Sequence, residues 1–288
     1  MVRARRILLL DLPIVLAFLT LALVPWGEWF GGKVRLADTL LPPSAEHPLG
    51  TDNLGRDLLV RTATAMSSGV LPLWGAVLLS TLAGVSLGTA VVLLKRRRLG
   101  AGAARGIDLV ATGLASIPVG VSAFAWAVWW EKGGLAPVCL ALGALFAVRS
   151  YLQIRDLHRH DRHLGFWTAH ASLGGSEAGR LWRYGVFTGW RWSLAEALGF
   201  HLRAAVAIEA SLSYLGFGIQ EPAASFGNML ASHFDLYLKG HLSVLAVILG
   251  ALALTAAFPS CLLSVLAFFP SRRGPLQIFA AAPNFKVQ

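Results

Sequence analysis

Six stretches of this chain are apolar for about as long as a bilayer is thick, and no other feature narrows its fold as much. A helix needs about 20 mostly apolar residues to cross the hydrocarbon core, where every backbone N–H and C=O must be satisfied within the segment. The stretches lie at about 7–25, 69–94, 105–130, 134–150, 192–215 and 242–268. The fourth is the weakest, since its clean apolar part, Leu135 to Val148, is short for a crossing and also fits a re-entrant or interfacial segment. Composition agrees with a polytopic membrane protein. The chain is 56% hydrophobic and 14% charged, where a soluble domain carries roughly 25% charged residues. These figures exclude a disordered chain, a secreted disulfide scaffold and a nucleic-acid-binding tail. Cys139 and Cys261 sit inside apolar runs and read as small buried hydrophobes.

Arg3, Arg5 and Arg6 precede the first stretch, as a signal peptide's basic region would. That stretch ends in Val24-Pro25-Trp26-Gly27 with no small-x-small cleavage site, so a retained first helix is expected. With six crossings and the N-terminus inside, 18 of the 25 basic residues fall on the cytoplasmic side. Six fall outside (Lys33, Arg35, Arg56, Arg61, Lys132 and Lys239), and Arg203 lies within a span. The net charge of +10 is then a record of topology and not a sign of a nucleic-acid partner. The chain divides into a first helix with its outer loop (1–66), a five-helix core with a cytoplasmic loop at 151–190 (67–270), and a cytoplasmic tail (271–288).

Three segments between the spans carry motifs. The outer loop holds His47-Pro48-Leu49-Gly50-Thr51-Asp52-Asn53-Leu54-Gly55-Arg56-Asp57, with Arg61 one turn on. On residue chemistry alone this is a turn that opens a helix. Asp52 is expected to cap it, with Arg56, Asp57 and Arg61 pairing across its first turns. The segment from Glu209 through Ser211, Ser213, Tyr214, Gly216, Gly218, Gln220 and Pro222, and on to Ser225 and Gly227, leaves the fifth span. Gly216 and Gly218 permit a tight exit, Pro222 stops the helix, and Ser225 to Leu230 is expected to form a short helix. Taken alone it is an interfacial re-entry.

HPLGTDNLGRD closely resembles the segment before the second helix in the C-type permease subunits of dipeptide, oligopeptide and nickel ABC importers, which read HPLGTDxxGRD followed by SR. The block at 209–230, EASLSYLGFGIQEP and then SFGNML, is similar to that family's EAxLSFLGLGxQPPxPSWGxML. The resemblance covers most of residues 1–268. It implies an all-α, six-span fold of the type I ABC importer class, with both termini cytoplasmic, in the plasma (inner) membrane. It further implies a B-type partner permease, two cytoplasmic ATPase subunits and an extracytoplasmic solute-binding protein. No cofactor is expected in this chain, ATP and magnesium being bound by the ATPases. Residues 209–227 are expected at the outer gate of the translocation path. The cytoplasmic loop, with Thr168, Ala169, His170, Gly174, Gly175, Ser176, Glu177 and Arg183, is expected to dock on an ATPase as the family's EAAxxxG segment does. Thr168 stands where that Glu is expected, and Phe187 stands roughly where the family has proline. Ser67 replaces an expected Arg, and Thr112 replaces a common Asp.

Other signals point elsewhere and are weaker. Gly27-Glu28-Trp29-Phe30-Gly31-Gly32-Lys33 fits GxxxxGK, but Val34 replaces the hydroxyl residue that holds magnesium and no strand precedes it. His158, His160, Asp161, His163 and His170 suggest a metal-dependent hydrolase, yet no HExxH or cysteine pair supports one. The worn loop also fits a membrane scaffold descended from a permease. Glu196 and Arg203, seven apart in the fifth span, share a helix face and are expected to pair through another helix.

Overall fold

The computed structural model describes residues 7–24, 34–95, 100–130, 133–161, 190–234 and 242–268, with single positions at 26, 172, 174, 176, 179 and 238. Among them the regular structure is helical, with no strand beyond an isolated bridge between Thr51 and Asp57. Helix α1 is Leu12–Leu23, continued N-terminally by a π turn at Ile7–Asp11. Helix α2 is Leu58–Leu94, with a π segment at Ala65–Val70. Then come α3 (Gly100–Ser116), α4 (Val119–Trp130), α5 (Leu135–Asp161), α6 (Arg191–Tyr214), α7 (Phe226–Ser232) and α8 (Leu242–Phe268).

Among the described residues three helices are long and apolar enough to cross a membrane: Leu58–Leu94, Leu135–Asp161 and Ser243–Leu266. The expected third span is broken. Its halves meet at 89° across Ile117 and Pro118, because proline cannot continue the ladder and pushes the preceding residue out of the helical region. Counting that pair as one span gives four. The fourth stretch is longer than its apolar part suggested, since α5 runs 27 residues. Its polar last turns keep Ser150, Tyr151 and Ile154 buried on one face. The fifth stretch, α6, is long enough but carries Arg191, Glu196, Arg203 and Glu209. The apolar part of the first helix, Leu9–Leu23, is short.

The contacts order the helix ends. Helix α2 starts beside the 47–57 loop and ends at Lys95, whose Nζ reaches Asp108 of α3 at 2.5 Å. The α3–α4 pair returns, so that Phe124 packs edge-on against Phe217 and the Gly134 amide donates to the Gly218 carbonyl at 2.8 Å. Helix α5 goes back to Asp161, which accepts from Trp190 Nε1 at 2.5 Å just before α6 begins. Helix α6 then climbs to the 209–227 block. Of four apolar clusters among the described residues, the two largest bind most of these elements. In one, Phe18 of α1, Trp74 of α2 and Phe258 of α8 pack as three rings with centroids 4.2–5.4 Å apart. In the other, Leu73, Leu142, Phe146 and Ala205 are fully enclosed between α2, α5 and α6.

Outside these cores the helices present large apolar side chains outward, such as Leu79 and Leu109. Trp126, Trp129 and Trp130 cluster at the end of α4, as indoles do at a membrane–water boundary. Water would penalise so much exposed apolar surface; hydrocarbon does not.

Helices α2 and α5 form the most extensive helix pair, and glycine sets their distance. A Cβ on Gly84 would lie 2.2 Å from the Ala147 carbonyl oxygen, whereas one on Gly75 of the same helix would meet nothing within 4 Å. Gly84→Ala should destabilise the purified protein by about 1–3 kcal/mol through overpacking. Gly75→Ala should be neutral or stabilising by roughly 0.5–1 kcal/mol. Thermal melts in detergent read both, and equal melting of the two variants would contradict the close α2–α5 contact.

Candidate functional site: an ionic clasp between two distant segments

The 47–57 loop is built around Asp52, which is fully enclosed. Its Oδ1 accepts the amides of Leu54 at 2.8 Å and Arg56 at 2.9 Å, and its Oδ2 accepts from Arg56 Nε at 2.7 Å. Gly55, between them, has φ +67°, and a Cβ there would lie 1.8 Å from the Arg35 carbonyl oxygen. Only glycine fits that turn. Asp52 thus closes the loop and does not cap the helix. The cap is Asp57, whose Oδ1 accepts the amides of Leu59 and Val60 at 2.8 and 3.1 Å. The reason is register, since the helix begins at Leu58 and its orphan amides lie just beyond Asp57. Asp57 Oδ2 also faces His47 Nδ1 at 2.9 Å. Gly50 is in the left-handed region and Pro48 is half-buried. Thr51 Oγ1 accepts from the Leu41 amide and donates to the Asp38 carbonyl.

In the 209–227 block, Glu209 and Ser213 are buried on α6, and Ser213 Oγ donates to Glu209 Oε1 at 2.6 Å. The same hydroxyl accepts the Ile219 amide at 2.8 Å. Gly216 turns the chain at φ +86°, and a Cβ on Gly218 would strike Ser213. The short helix forms as α7. Ser225 and Asn228 close a capping box with bonds of 3.1 Å in both directions. Gly227 lets α7 approach the Ala210 carbonyl of α6. Ser211, Tyr214, Gly216, Gln220 and Pro222 are exposed, while Gly218, Ser225 and Gly227 are buried.

The two segments meet at Glu221, which closes the gap across 165 residues. Arg56 NH1 donates to Glu221 Oε2 at 2.8 Å, and Arg61 NH2 donates to Oε1 at 3.0 Å. Arg61 NH1 also lies 3.7 Å from Asp52 Oδ2. Two guanidinium groups and two carboxylates form one neutral cluster, with both arginines buried. Burial pushes the Glu221 carboxyl up, but Arg56 and Arg61 outweigh it and hold it below the ordinary glutamate value. His233, after α7, is also enclosed, and burial pushes its imidazole down.

Sequence reasoning missed Glu221 as a partner. It stands where the family pattern has proline, and no local spacing points from it to Arg56. The expected Glu196–Arg203 pair does not form. Arg203 donates to Ser260 of α8, and Glu196 is exposed. Of the cytoplasmic loop, Thr168, Ala169, His170, Gly175, Glu177 and Arg183 lie outside the described residues. Gly174 is in the left-handed region, and Ser176 Oγ accepts the Gly179 amide at 3.1 Å. From the histidine cluster, His158, His160 and Asp161 fall on the last turns of α5, and His163 and His170 lie outside the described residues.

Asp52→Ala leaves two buried guanidinium groups facing one carboxylate and should cost about 3–5 kcal/mol. Glu221→Gln should cost less, about 1–2 kcal/mol, because Glu221 is 38% exposed and water screens it. Since the Glu221 pKa is depressed on folding, its contribution is full above the unfolded value and is lost as pH falls through the lower folded one. The melting gap between wild type and Glu221→Gln should therefore hold from neutral to mildly acid pH and close only below the ordinary glutamate range. A gap that closes at neutral pH, or a reversed order of the two variants, would contradict the clasp.

No family model matches the chain. It is 30% identical over 225 residues to a protein of Brucella suis biovar 1 that carries a provisional peptide-permease name, covering 77% of this chain and 71% of the other. A second Brucella suis protein, with a provisional name as a peptide transport system permease, is 29% identical over 77% of this chain and 73% of its own. The glutathione transport system permease protein GsiD of Pectobacterium atrosepticum is 28% identical over 73% of this chain and 69% of its own. With these relatives and the two joined motifs, the chain belongs to the permease family of binding-protein-dependent ABC importers.

Proposed function

We propose that this chain is one half of the translocation pore of an ATP-driven importer for peptides or a related small solute. The observation that carries the reading is the clasp. The two segments that resemble the family's outer motifs are joined at one end of the molecule by Arg56, Arg61 and Glu221. The alternating helix ends support six crossings, with α1, α2, the α3–α4 pair, α5, α6 and α8 as the spans. The clasp then lies outside the plasma (inner) membrane, and Lys95, Asp161 and both termini lie inside.

In this reading a second, B-type permease completes the pore, an extracytoplasmic solute-binding protein delivers the solute, and two cytoplasmic ATPases bind ATP and magnesium. Transport follows alternating access. ATP has different affinities for the two states of the assembly and so shifts the balance between them. The loop around Ser176 carries the ATPase movement to the helices. Residues 209–227, with Tyr214, Gly216 and Gln220 exposed, border the outer opening. This chain makes and breaks no covalent bond.

Cysteines placed at the exposed positions Glu46 and Ser176, in a chain lacking Cys139 and Cys261, test the arrangement. Glu46→Cys should react with a membrane-impermeant maleimide in intact cells, and Ser176→Cys only after permeabilisation. In membranes holding the assembled complex, Ser176→Cys should crosslink to an ATPase subunit. Labelling from the wrong side would overturn the topology. A complex that stays assembled without a crosslink would overturn the coupling role.

A further inference from the structure

At the end of α2 remote from the clasp, α2, α3 and α5 enclose a cavity of about 390 Å³. Its polar lining is Lys95, Arg105, Arg155, His158 and Arg159 against one carboxylate, Asp108. Asp108 accepts from Lys95 and from the Tyr151 hydroxyl, each at 2.5 Å, and lies 3.7 Å from Arg159. Asp156, just outside, takes Arg155 at 2.9 Å and Arg159 at 3.8 Å. Arg155 NH1 donates to the neutral Thr112 hydroxyl at 3.0 Å. Arg105 has no ion-pair partner among the described residues. Among the described residues four fixed cations therefore face two carboxylates, an excess of two positive charges before His158 is counted.

Directly below, the same three helices enclose an almost wholly apolar groove of about 490 Å³. Its walls include Gly84 and Leu87 of α2, Gly106, Val110 and Leu114 of α3, and Val148 of α5. Cavity and groove share a wall: Arg105 and Asp108 line the first, Gly106 and Ile107 the second. Tyr151 joins them, with its ring against the groove and its hydroxyl on Asp108. The groove is open because α3 has glycine where a side chain would fill it; a Cβ on Gly106 would meet nothing within 4 Å.

A cationic cavity at a membrane boundary, continued inward by an apolar groove, has the shape and charge of a phospholipid laid along a helix face. We infer that α2, α3 and α5 form a binding site for one anionic glycerophospholipid, with its phosphate among Lys95, Arg105 and Arg159 and an acyl chain along Gly84, Gly106 and Val148. The site rests on the reading of the chain as membrane-spanning, but not on which solute it carries. A protein helix in the groove would leave the cationic cavity uncompensated, and a soluble anion would leave the groove empty. The lipid satisfies both.

The full chain, purified with its associated subunits and stripped of loosely held lipid, tests this by native mass spectrometry and thermal shift. Phosphatidylglycerol should be retained about tenfold or more over phosphatidylcholine and should raise the melting temperature. Arg105→Gln with Arg159→Gln should cost about tenfold or more in that preference. Gly106→Leu, whose Cβ would meet nothing within 4 Å and whose longer side chain would occupy the groove, should cut retention of both lipids. Arg35→Gln, on the exposed outer loop, should change neither. Equal retention of the two lipids would overturn the site, as would a thermal shift reproduced by inorganic phosphate alone. So would a partner helix crosslinked into the groove of a lipid-free complex. Because lipid retention is read without transport, loss of uptake with lipid still bound would count against the proposed function and leave the site standing.

Discussion

Two guanidinium groups decide how the ends of this molecule are joined. Arg56 and Arg61 lie one helical turn apart at the start of α2, and neither can stay buried without negative charge nearby. Asp52 supplies half of it from the same loop. Glu221 supplies the other half from beyond α6, and in doing so fixes the 209–227 block against the outer loop. The α7 capping box, the tight turn at Gly216 and the contact of Gly134 with Gly218 all lie in or against the block that Glu221 ties to the outer loop.

The rest of the structure obeys a different rule. With hydrocarbon as the surrounding medium, leucines on the outer faces carry no penalty, so helices are held by close approach and by polar contacts between them. Gly84 and Gly88 bring α2 onto α5 at backbone distance, and the Trp74 indole donates to the Leu202 carbonyl across to α6. Among the described residues the ion pairs gather at the ends, with the clasp at one and the Lys95–Asp108–Arg159 group at the other. Arg203, half-buried midway along α6, donates to the exposed Ser260 hydroxyl on the neighbouring α8.

What the sequence revealed and what it withheld divide along the range of each interaction. Apolar length located the helices, because burial in lipid is a property of a segment by itself. The short helix after Ser225 and the turn at Gly216 were legible for the same reason, being settled within a few residues. Asp57 took the capping role expected of Asp52 because a shift of a few residues in helix start decides which carboxylate meets the orphan amides. The extension of α5 through its polar end was hidden, since Tyr151 and Ile154 are buried by distant partners on α2 and α3 and at the start of α6. The pairing of Glu221 with Arg56 was beyond local reading, as it exists only once α6 and α2 stand side by side.

The claim that ties these parts together is that the chain is a working half-pore and not a scaffold, and transport itself tests it. Proteoliposomes holding this chain with its partner permease and ATPases are supplied with ATP on the ATPase side and with loaded binding protein on the other. The expected result is accumulation of the bound solute that requires ATP hydrolysis and disappears when this chain is omitted. Solute movement that is the same without this chain, or an assembled complex that hydrolyses ATP and moves nothing, would contradict it.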